Sequence, residues 1–314
     1  MRNGFLGLAT AAMLASGVQA EEVVLEPSSS WVLDYHPDRC RLIRTFGEGN
    51  NKHLFQLEQS RPSSVLPWLV AGPFIRKLPV KRDVEARFEP GFGKMEVRKS
   101  SEMTLGEFGP ILTGVHYEPL PQGGIVVTDA RIVSPDSAAP AASHADAMQH
   151  LAIQDTEPDL GLDLEEGQKV HAFTIRDGKK AIVLRLGNMA PAFKAMNKCA
   201  DDLIASWGLD PAVFRTQAMA PKWTNVAPLT RKIQQRYPSA ALARGEQANF
   251  QLRVMVGADG RPTKCKFVEL TQAANFTDKV CPLVMEEARF TPAVNKEGQP
   301  IPSFYHGRVL YRMP

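Results

Sequence analysis

One nine-residue stretch near the C-terminus, residues 248–256, constrains the fold of this chain more than any other part of its sequence. Its apolar side chains stand two positions apart, at Phe250, Leu252, Val254 and Val256. A period of two is typical of a strand that buries one face. Residues 257–260, Gly-Ala-Asp-Gly, favour a turn, and a second apolar run covers residues 265–270. Together these patterns predict a β-hairpin.

The residues after this hairpin predict a helix and a third strand. Residues 277–290 place apolar side chains on one helical face, and Pro292 ends the segment. Residues 305–313 again have strand character, and a short helix is expected before the hairpin. The order helix, strand, strand, helix, strand predicts a small α+β domain, with helices packed on an antiparallel three-stranded sheet.

Small, apolar and aromatic residues recur through this domain at specific spacings. They are Tyr237-Pro238, Ala241, Arg244-Gly245, Val254, Val256, Gly260, Phe290, Pro292, Ala293, Gly298 and Pro300. In these positions residues 231–314 resemble the C-terminal domain of TonB-type energy transducers. Members of that family also carry a membrane helix and a long Pro-rich spacer, and this sequence has neither pattern. The resemblance therefore implies the fold and the binding mode of the domain more directly than energy transduction.

The resemblance implies a protein partner that is held by strand addition. A short extended segment of an outer-membrane receptor would pair with an edge strand of the domain, here expected at residues 305–312. Tyr305 and Tyr311 are then expected to contact the partner, and Arg308 and Arg312 to supply charge recognition. The alternative is that these arginines protect the edge from pairing, as charges do in monomeric sheets.

The first twenty residues have the pattern of a secretory signal peptide. Arg2 precedes an apolar run over residues 5–15, and Val18-Gln19-Ala20 gives a small-x-small ending before Glu21. The apolar run is shorter than the roughly 20 residues that a membrane-spanning helix needs. We therefore expect a periplasmic protein with a cleaved signal and no transmembrane helix. An uncleaved membrane anchor is the alternative.

Four cysteines follow the predicted signal, and an even number in an exported chain predicts disulfides. Three pairings are possible. Cys40–Cys199 and Cys265–Cys281 are favoured because they give one bridge to each domain, with Cys265 on a strand and Cys281 in the first turn of a helix. Metal binding and a redox pair are the alternatives, but no C-x-x-C pattern occurs.

Residues 21–217 predict a mainly β domain, either a sandwich or barrel-like. Short strand-like segments alternate with Gly- and Pro-containing turns. These segments are residues 31–35, 41–45, 53–57, 69–75, 95–98, 125–128, 170–175 and 181–186. Residues 189–207, which include Cys199, predict a helix. Residues 134–166 are expected to form an exposed loop, and residues 218–230 lack periodicity and predict a linker.

The sequence carries no pattern of a known enzyme class. Zinc-binding spacings, a nucleophile elbow, a phosphate-binding loop and a dinucleotide fingerprint do not occur. His144, Asp146 and His150 stand close together, but they border the predicted exposed loop, so a metal site is not expected. We expect no cofactor, no enzymatic activity and no nucleic-acid binding. Residues 231–314 hold 13 Lys and Arg against 7 Asp and Glu, which could favour acidic partners.

These patterns predict an exported, periplasmic, two-domain protein that binds an envelope protein by edge-strand addition and supports TonB-dependent transport. In the alternative, the N-terminal β domain carries the function by binding a small molecule or an envelope component, and the TonB-like domain is a scaffold. A hydrolase without a recognisable motif is a third hypothesis.

Overall fold

The computed structural model describes seven ranges of the chain and leaves gaps between them. These ranges are residues 21–78, 84–90, 94–117, 161–246, 248–269, 275–276 and 280–311. Strands predominate over helices in them, so the chain is mainly β with few helices, as predicted. In the ranges that the structure describes, no helix is both long enough and apolar enough to cross a bilayer.

Most N-terminal elements are strands that are joined by short connections. The strands are β1 (Glu21–Leu25), β2 (Val32–His36), β3 (Arg39–Phe46), β4 (His53–Gln59), β5 (Leu66–Ala71), β6 (Glu85–Glu89), β7 (Lys94–Leu105), β8 (Gly109–Tyr117), β9 (Ala172–Asp177) and β10 (Lys180–Arg185). The helices are α1 (Pro73–Lys77), α2 (Leu164–Lys169), α3 (Ala190–Ser206) and α4 (Pro211–Phe214), with 3-10 turns at Gly49–Asn51 and Gly106–Phe108.

The N-terminal strands form two sheets. One is antiparallel with the order β2-β3-β4-β5-β8-β7, and the other has the order β1-β10-β9-β6, in which β1 runs parallel to β10. Their inner faces meet through aromatic side chains: the ring centroids of Phe55 on β4 and Phe173 on β9 lie 4.8 Å apart. Phe88 and Trp68 pack on Phe173 at 5.0 and 4.9 Å. These buried rings hold the two sheets face to face.

Helix α3 is fastened to the larger sheet. Its apolar residues at helical spacing, including Phe193, Met196 and Leu203, are buried. A disulfide joins Cys199 on the helix to Cys40 on β3, with an S–S distance of 2.05 Å. The helix lies within the span predicted for it, and the bridge is the one that the sequence favours.

The C-terminal part of the chain combines short strands with three helices in its described residues. The strands are β11 (Gln217–Met219), β12 (Lys222–Trp223), β13 (Ala248–Val256), β14 (Pro262–Glu269), β15 (Phe290–Thr291), β16 (Ala293–Asn295), β17 (Pro300–Ile301) and β18 (Ser303–Tyr311). The helices are α5 (Val226–Gln235), α6 (Ser239–Ala243) and α7 (Val280–Glu287). Strands β14, β13 and β18 form an antiparallel sheet in that order.

One face of this sheet carries the apolar core of the C-terminal domain. Leu252, Val254 and Val256 of β13 are buried in a cluster with Leu283 and Val284 of α7. These are three of the four residues that the period-two alternation places on one face; the side chain of the fourth, Phe250, lies outside the described residues. A disulfide between Cys265 on β14 and Cys281 on α7, with Cα atoms 5.4 Å apart, ties the sheet to the helix.

The predicted linker at residues 218–230 is instead built into secondary structure. Strand β11 pairs with β16, strand β12 pairs with β15, and α5 begins at Val226. Trp223 is buried against Phe290, with ring centroids 5.5 Å apart. These pairings are long-range, so the local sequence gave no periodicity to reveal them.

The strand predicted at residues 69–75 ends earlier, at Ala71, and α1 follows it. Gly72 has a φ of 147° and lies against the His53 ring, so a Cβ there would collide with it. Pro73 then starts the helix at a position where proline is tolerated. Strands β1, β6 and β8 were not predicted. The strand predicted at residues 125–128 lies outside the described residues, as do residues 134–160 of the predicted loop. Residues 164–166 of that loop instead belong to α2.

Candidate functional site

Strand β18 is at one edge of the C-terminal sheet. It pairs with β13 across nine residue pairs, from Ser303 opposite Val256 to Tyr311 opposite Ala248. In the part of the chain that the structure describes, no strand pairs with its other side. At the start of the strand Ser303 and Phe304 are buried, whereas residues 305–307 are partly exposed.

The four residues predicted to contact a partner do not all lie at a free surface. Tyr305 is half-buried, and its ring lies 5.6 Å from that of Trp223 and 5.5 Å from that of Phe290, on the helix side of the sheet. Burial raises the pKa of Tyr305 to about 12, so its hydroxyl stays protonated. Arg308 and Tyr311 belong to β18, but their side chains, like all of Arg312, lie outside the described residues.

The opposite face of the sheet packs on the N-terminal region. Phe304 of β18 is buried, stacked 5.5 Å from Phe214 and edge-on to Trp207 at 5.2 Å. Met255 of β13 is buried in the same cluster, which extends into the N-terminal core. The two regions therefore share one apolar cluster and are not joined by a connecting segment alone.

A buried ion cluster lies at this junction. Asp38, in the turn between β2 and β3, receives Arg253 Nη1 of β13 at 3.0 Å and Lys266 Nζ of β14 at 2.7 Å. The side chains of Asp38 and Arg253 are 10% and 7% exposed, whereas Lys266 is 41% exposed. The Arg253 guanidinium also stacks 3.6 Å over the ring of Trp207. Trp207 in turn donates its indole N–H to the carbonyl of Pro37 at 3.3 Å.

Burial and pairing act in opposite directions on these charges. Burial raises the pKa of Asp38, but the hydrogen bond from Lys266 and the charge of Arg253 outweigh it, and the pKa lies below its ordinary value. Burial lowers the pKa of Arg253, and Asp38 opposes this change. Both side chains therefore stay charged at neutral pH, and the pair is an ionic contact between the two regions.

His306 of β18 stands beside this cluster. Its ring lies 4.9 Å from Phe304 and 6.1 Å from Trp207. Burial, together with the positive charges of Arg61 and Arg253, lowers the pKa of His306 to about 3. His306 is therefore neutral at physiological pH.

A cavity of about 260 Å³ lies between the N-terminal region and the edge strand. It is lined by residues 303–306 of β18, by Arg253, by residues at the end of β4 and the turn that follows, and by the start of the segment that joins the two regions. Five of the eight buried polar or charged residues in the described ranges line it: Gln59, Ser63, Gln217, Arg253 and Ser303. This cavity, together with the open edge of β18, is the candidate functional site.

Residues 233–313 match the family model of the Gram-negative bacterial TonB protein C-terminal domain. The resemblance read from the sequence is thus confirmed, and it is confined to that segment. A search of curated proteins finds no match to this chain. Domains of this family interact with proteins of the cell envelope, and the two disulfides fit an extracytoplasmic location.

The matched segment begins within α5, so β11 and β12 precede it. The N-terminal contributions to the site, such as Asp38, Gln59 and Trp207, also lie outside it. The candidate site therefore combines residues of the matched segment with residues that precede it.

Sequence reasoning missed the ion cluster and the cavity. The one local signal was Arg253, a charged residue on the polar side of the alternating strand, which ordinarily indicates a solvated position. Its partner Asp38 is more than two hundred residues away in the sequence, with no motif around it. Within the described ranges no three His, Cys, Asp or Glu side chains converge as metal ligands; His144, Asp146 and His150 lie outside those ranges.

Proposed function

We propose that this chain is an exported cell-envelope protein that holds an extended segment of a partner protein by strand addition to β18. The observation that carries the proposal is the arrangement of β18, which pairs with β13 along nine residue pairs and has no strand partner on its other side in the described residues. Strand addition needs only such a row of backbone donors and acceptors. The protein then acts by binding, not as an enzyme.

The proposal treats β14, β13 and β18, with the helices packed on them, as a working TonB C-terminal-type unit. Its partner would be the periplasmic segment of a TonB-dependent outer-membrane receptor, and the protein would support transport through it. Location in the periplasm after cleavage of residues 1–20 belongs to the same proposal. The excess of Lys and Arg in residues 231–314 would favour segments with acidic residues.

N-methyl scanning of a bound peptide tests strand addition. The probes are N-terminal peptides of TonB-dependent receptors, and their binding to the full chain is measured by fluorescence anisotropy. Because alternate residues of an added strand direct their N–H groups to the edge, methylation at alternate positions should weaken binding by about 2- to 10-fold, the cost of one hydrogen bond. The positions between them should tolerate it.

Two results would contradict the proposal. One is the absence of binding by every receptor peptide when a scrambled peptide behaves identically. The other is a loss of affinity that follows side-chain identity alone and shows no alternation along the peptide backbone.

One observation favours the scaffold function as a second candidate. The sheet face that bears Phe304 and Arg253 packs on the N-terminal region. The C-terminal domain therefore also stabilises residues 21–217 through these contacts. In that function the N-terminal β region binds an envelope component. Receptor peptides would then leave the protein unchanged, while cross-linking in intact cells would capture envelope material on residues 21–217.

A further inference from the structure

The free edge of β18 is closed at its start and open further along. Ser303 and Phe304 are only 1% and 7% exposed, whereas residues 305–307 are partly exposed. Ser303 Oγ donates a hydrogen bond to Oε1 of Gln217 at 2.5 Å, so strand β11 lies against the start of β18. Strand addition needs an accessible backbone. An added segment can therefore pair from Tyr305 onward, but it cannot reach Ser303 or Phe304.

The cavity of about 260 Å³ lies where this pairing must stop. Four successive residues of β18, residues 303–306, line it. Because successive residues of a strand point to opposite faces of the sheet, a cavity that touches all four lies along the edge of the strand. The far wall is formed by the turn after β4 and by Ala220 and Pro221. A segment that follows the edge toward Tyr305 would therefore meet this wall.

Charged side chains in the lining are already engaged with one another. Asp38 pairs with Arg253 at 3.0 Å, and Arg39 pairs with Glu58 at 3.3 Å. Residues 60 and 61 also line the cavity and are partly exposed, so they remain in contact with water. A polar side chain of a partner would lose water inside the cavity and would have to compete with these pairs for a hydrogen bond.

Apolar side chains supply the part of the lining that needs no such partner. Val65 and Ala220 are partly exposed, and Pro67 is exposed, although all three line the cavity. Phe214 and Phe304 lie deeper and are buried. Burial of an apolar group against such a surface is favourable without any directional contact. The cavity is therefore better suited to an apolar side chain than to a polar one.

We propose that this cavity receives an apolar side chain, such as that of Leu, Ile or Phe, at the end of the extended segment that adds to β18. The inference rests on the proposed strand addition, because residues 303–306 of β18 form one wall of the cavity. In strand addition, backbone pairing gives affinity and side-chain pockets give specificity. The N-terminal region then fixes the register of the added segment, since the segment must end where the start of β18 is closed.

Other occupants fit this cavity less well. A carboxylate or an ammonium group would leave water for a space in which the charges of Asp38 and Arg253 already balance each other. At about 260 Å³ the cavity is smaller than the roughly 300–1,000 Å³ of typical ligand pockets, which favours one side chain over a whole small molecule.

The experiment begins with selection of binding segments from a displayed library of random twelve-residue peptides on the full chain. Peptides whose binding shows the N-methyl alternation of strand addition are then measured on the wild type and on four variants. Val65→Asp places a charge in the cavity, and Ala220→Phe fills it; neither change removes a polar group. Val32→Asp and Ala212→Phe are the matched controls, because both residues are exposed and neither lines the cavity. Thermal unfolding verifies that each variant is folded.

We expect the selected peptides to share an apolar residue at one end of the alternating stretch. Val65→Asp and Ala220→Phe should each weaken binding about tenfold, as the loss of one buried apolar side chain does, and the two controls should leave it unchanged. Replacing the shared residue by Ser in the peptide should cause the same loss without altering the protein. A photoreactive leucine analogue at that position should cross-link to residues 60–67 or 220–221, which mass spectrometry identifies.

Each contrary result has a distinct meaning. Alternating peptides that share no apolar end residue, that bind Val65→Asp and Ala220→Phe as well as wild type, or that cross-link elsewhere overturn the apolar cavity and leave strand addition standing. Failure to select any peptide that shows the alternation on the wild-type chain overturns both proposals.

Discussion

The two faces of the C-terminal sheet are filled by different kinds of contact. On the helix side, Leu252 and Val254 pack among aliphatic side chains of α7 and the disulfide closes the layer. On the other side, Arg253 meets Asp38 and Trp207, and Phe304 stacks on aromatic rings of the N-terminal region. The contacts on the first face are apolar and do not depend on hydrogen-bond or ion-pair geometry. The second depends on specific partners from the other half of the chain.

This difference also follows the boundary between the matched segment and the rest of the chain. The aliphatic residues of β13 and α7 on the helix side lie within the segment that matches the TonB C-terminal family, although Trp223 and Leu229 of the same cluster precede it. On the other side, Asp38, Trp207 and Phe214 come from outside the matched segment. We infer that packing on the helix side specifies the fold of the C-terminal domain. Packing on the other side fixes the position of this domain against the N-terminal region. The predictions below test that division, from the largest expected effect to the smallest.

Leu252→Ala should have the largest effect on stability. Leu252 is 1% exposed, and its truncation leaves a cavity in the aliphatic face, so the free energy of unfolding should fall by about 3–4 kcal/mol. Urea denaturation measures this change. Leu242→Ala is the control, because Leu242 is 45% exposed, and it should shift stability by less than about 0.5 kcal/mol. Equal losses of stability in the two variants would contradict the claim that burial on the helix side stabilises the domain.

Asp38→Ala should lower the free energy of unfolding by about 3 kcal/mol, because it leaves the buried Arg253 charge without its main ion-pair partner. Adding Arg253→Met should recover much of this loss, because no charge then remains buried and unpaired. Lys266→Met should cost less than about 1 kcal/mol, because Lys266 is 41% exposed. A double variant that is no more stable than Asp38→Ala alone would show that the ion pair is not what joins the two regions.

Acid should destabilise the same junction through His306. Its pKa is about 3 in the folded protein and near 6.5 when unfolded, so the unfolded state binds more protons between these values. Stability from this group is complete above pH 6.5 and falls toward pH 3, by at most about 1.4 kcal/mol per pH unit. Asp38, whose pKa is lowered, loses its contribution only below its unfolded value near 3.9.

The measurement is the free energy of unfolding from pH 7 to 4 for the wild type and for His306→Gln. The variant should show the shallower slope. His53, whose pKa is also lowered by burial, contributes with the same sign to both proteins and cancels in the comparison. Parallel slopes would mean that His306 does not become buried as a neutral ring on folding.

Tyr305→Phe should have the smallest effect, less than about 0.5 kcal/mol. Its ring contacts with Trp223 and Phe290 are retained when only the half-buried hydroxyl is removed. Peptide affinity should also be retained if Tyr305 belongs to the aliphatic face. A marked loss of affinity would instead place this hydroxyl in partner binding, as the sequence alone suggests.

The sequence predicted those parts of the molecule that depend on local pattern. Strand β13 occupies the predicted residues 248–256, helix α3 lies within 189–207, and both favoured disulfides are present. The strand and the helix follow from periodicity, and the two bridges follow from assigning one disulfide to each predicted domain. The TonB-type resemblance likewise rests on residues inside one stretch of the chain.

The candidate site could not be predicted in the same way because its parts are distant in sequence. Strands β11 and β12 exist through pairing with β16 and β15, and their own residues show no alternation. Gln59, an ordinary polar residue on a strand, lines the cavity only because the C-terminal region packs beside the end of β4. Tyr305 was predicted to contact a partner protein, yet its ring packs against that of Trp223 within this chain.

Amide hydrogen exchange along both edges of the C-terminal sheet, with and without receptor peptides, tests the central claim most directly. The full chain is the right sample, because Phe304 and Met255 are buried against the N-terminal region. We predict new protection in β18 and none in β14, the strand at the opposite edge. Protection in β14 alone, or unchanged exchange in β18 when peptide is bound, would contradict strand addition at β18.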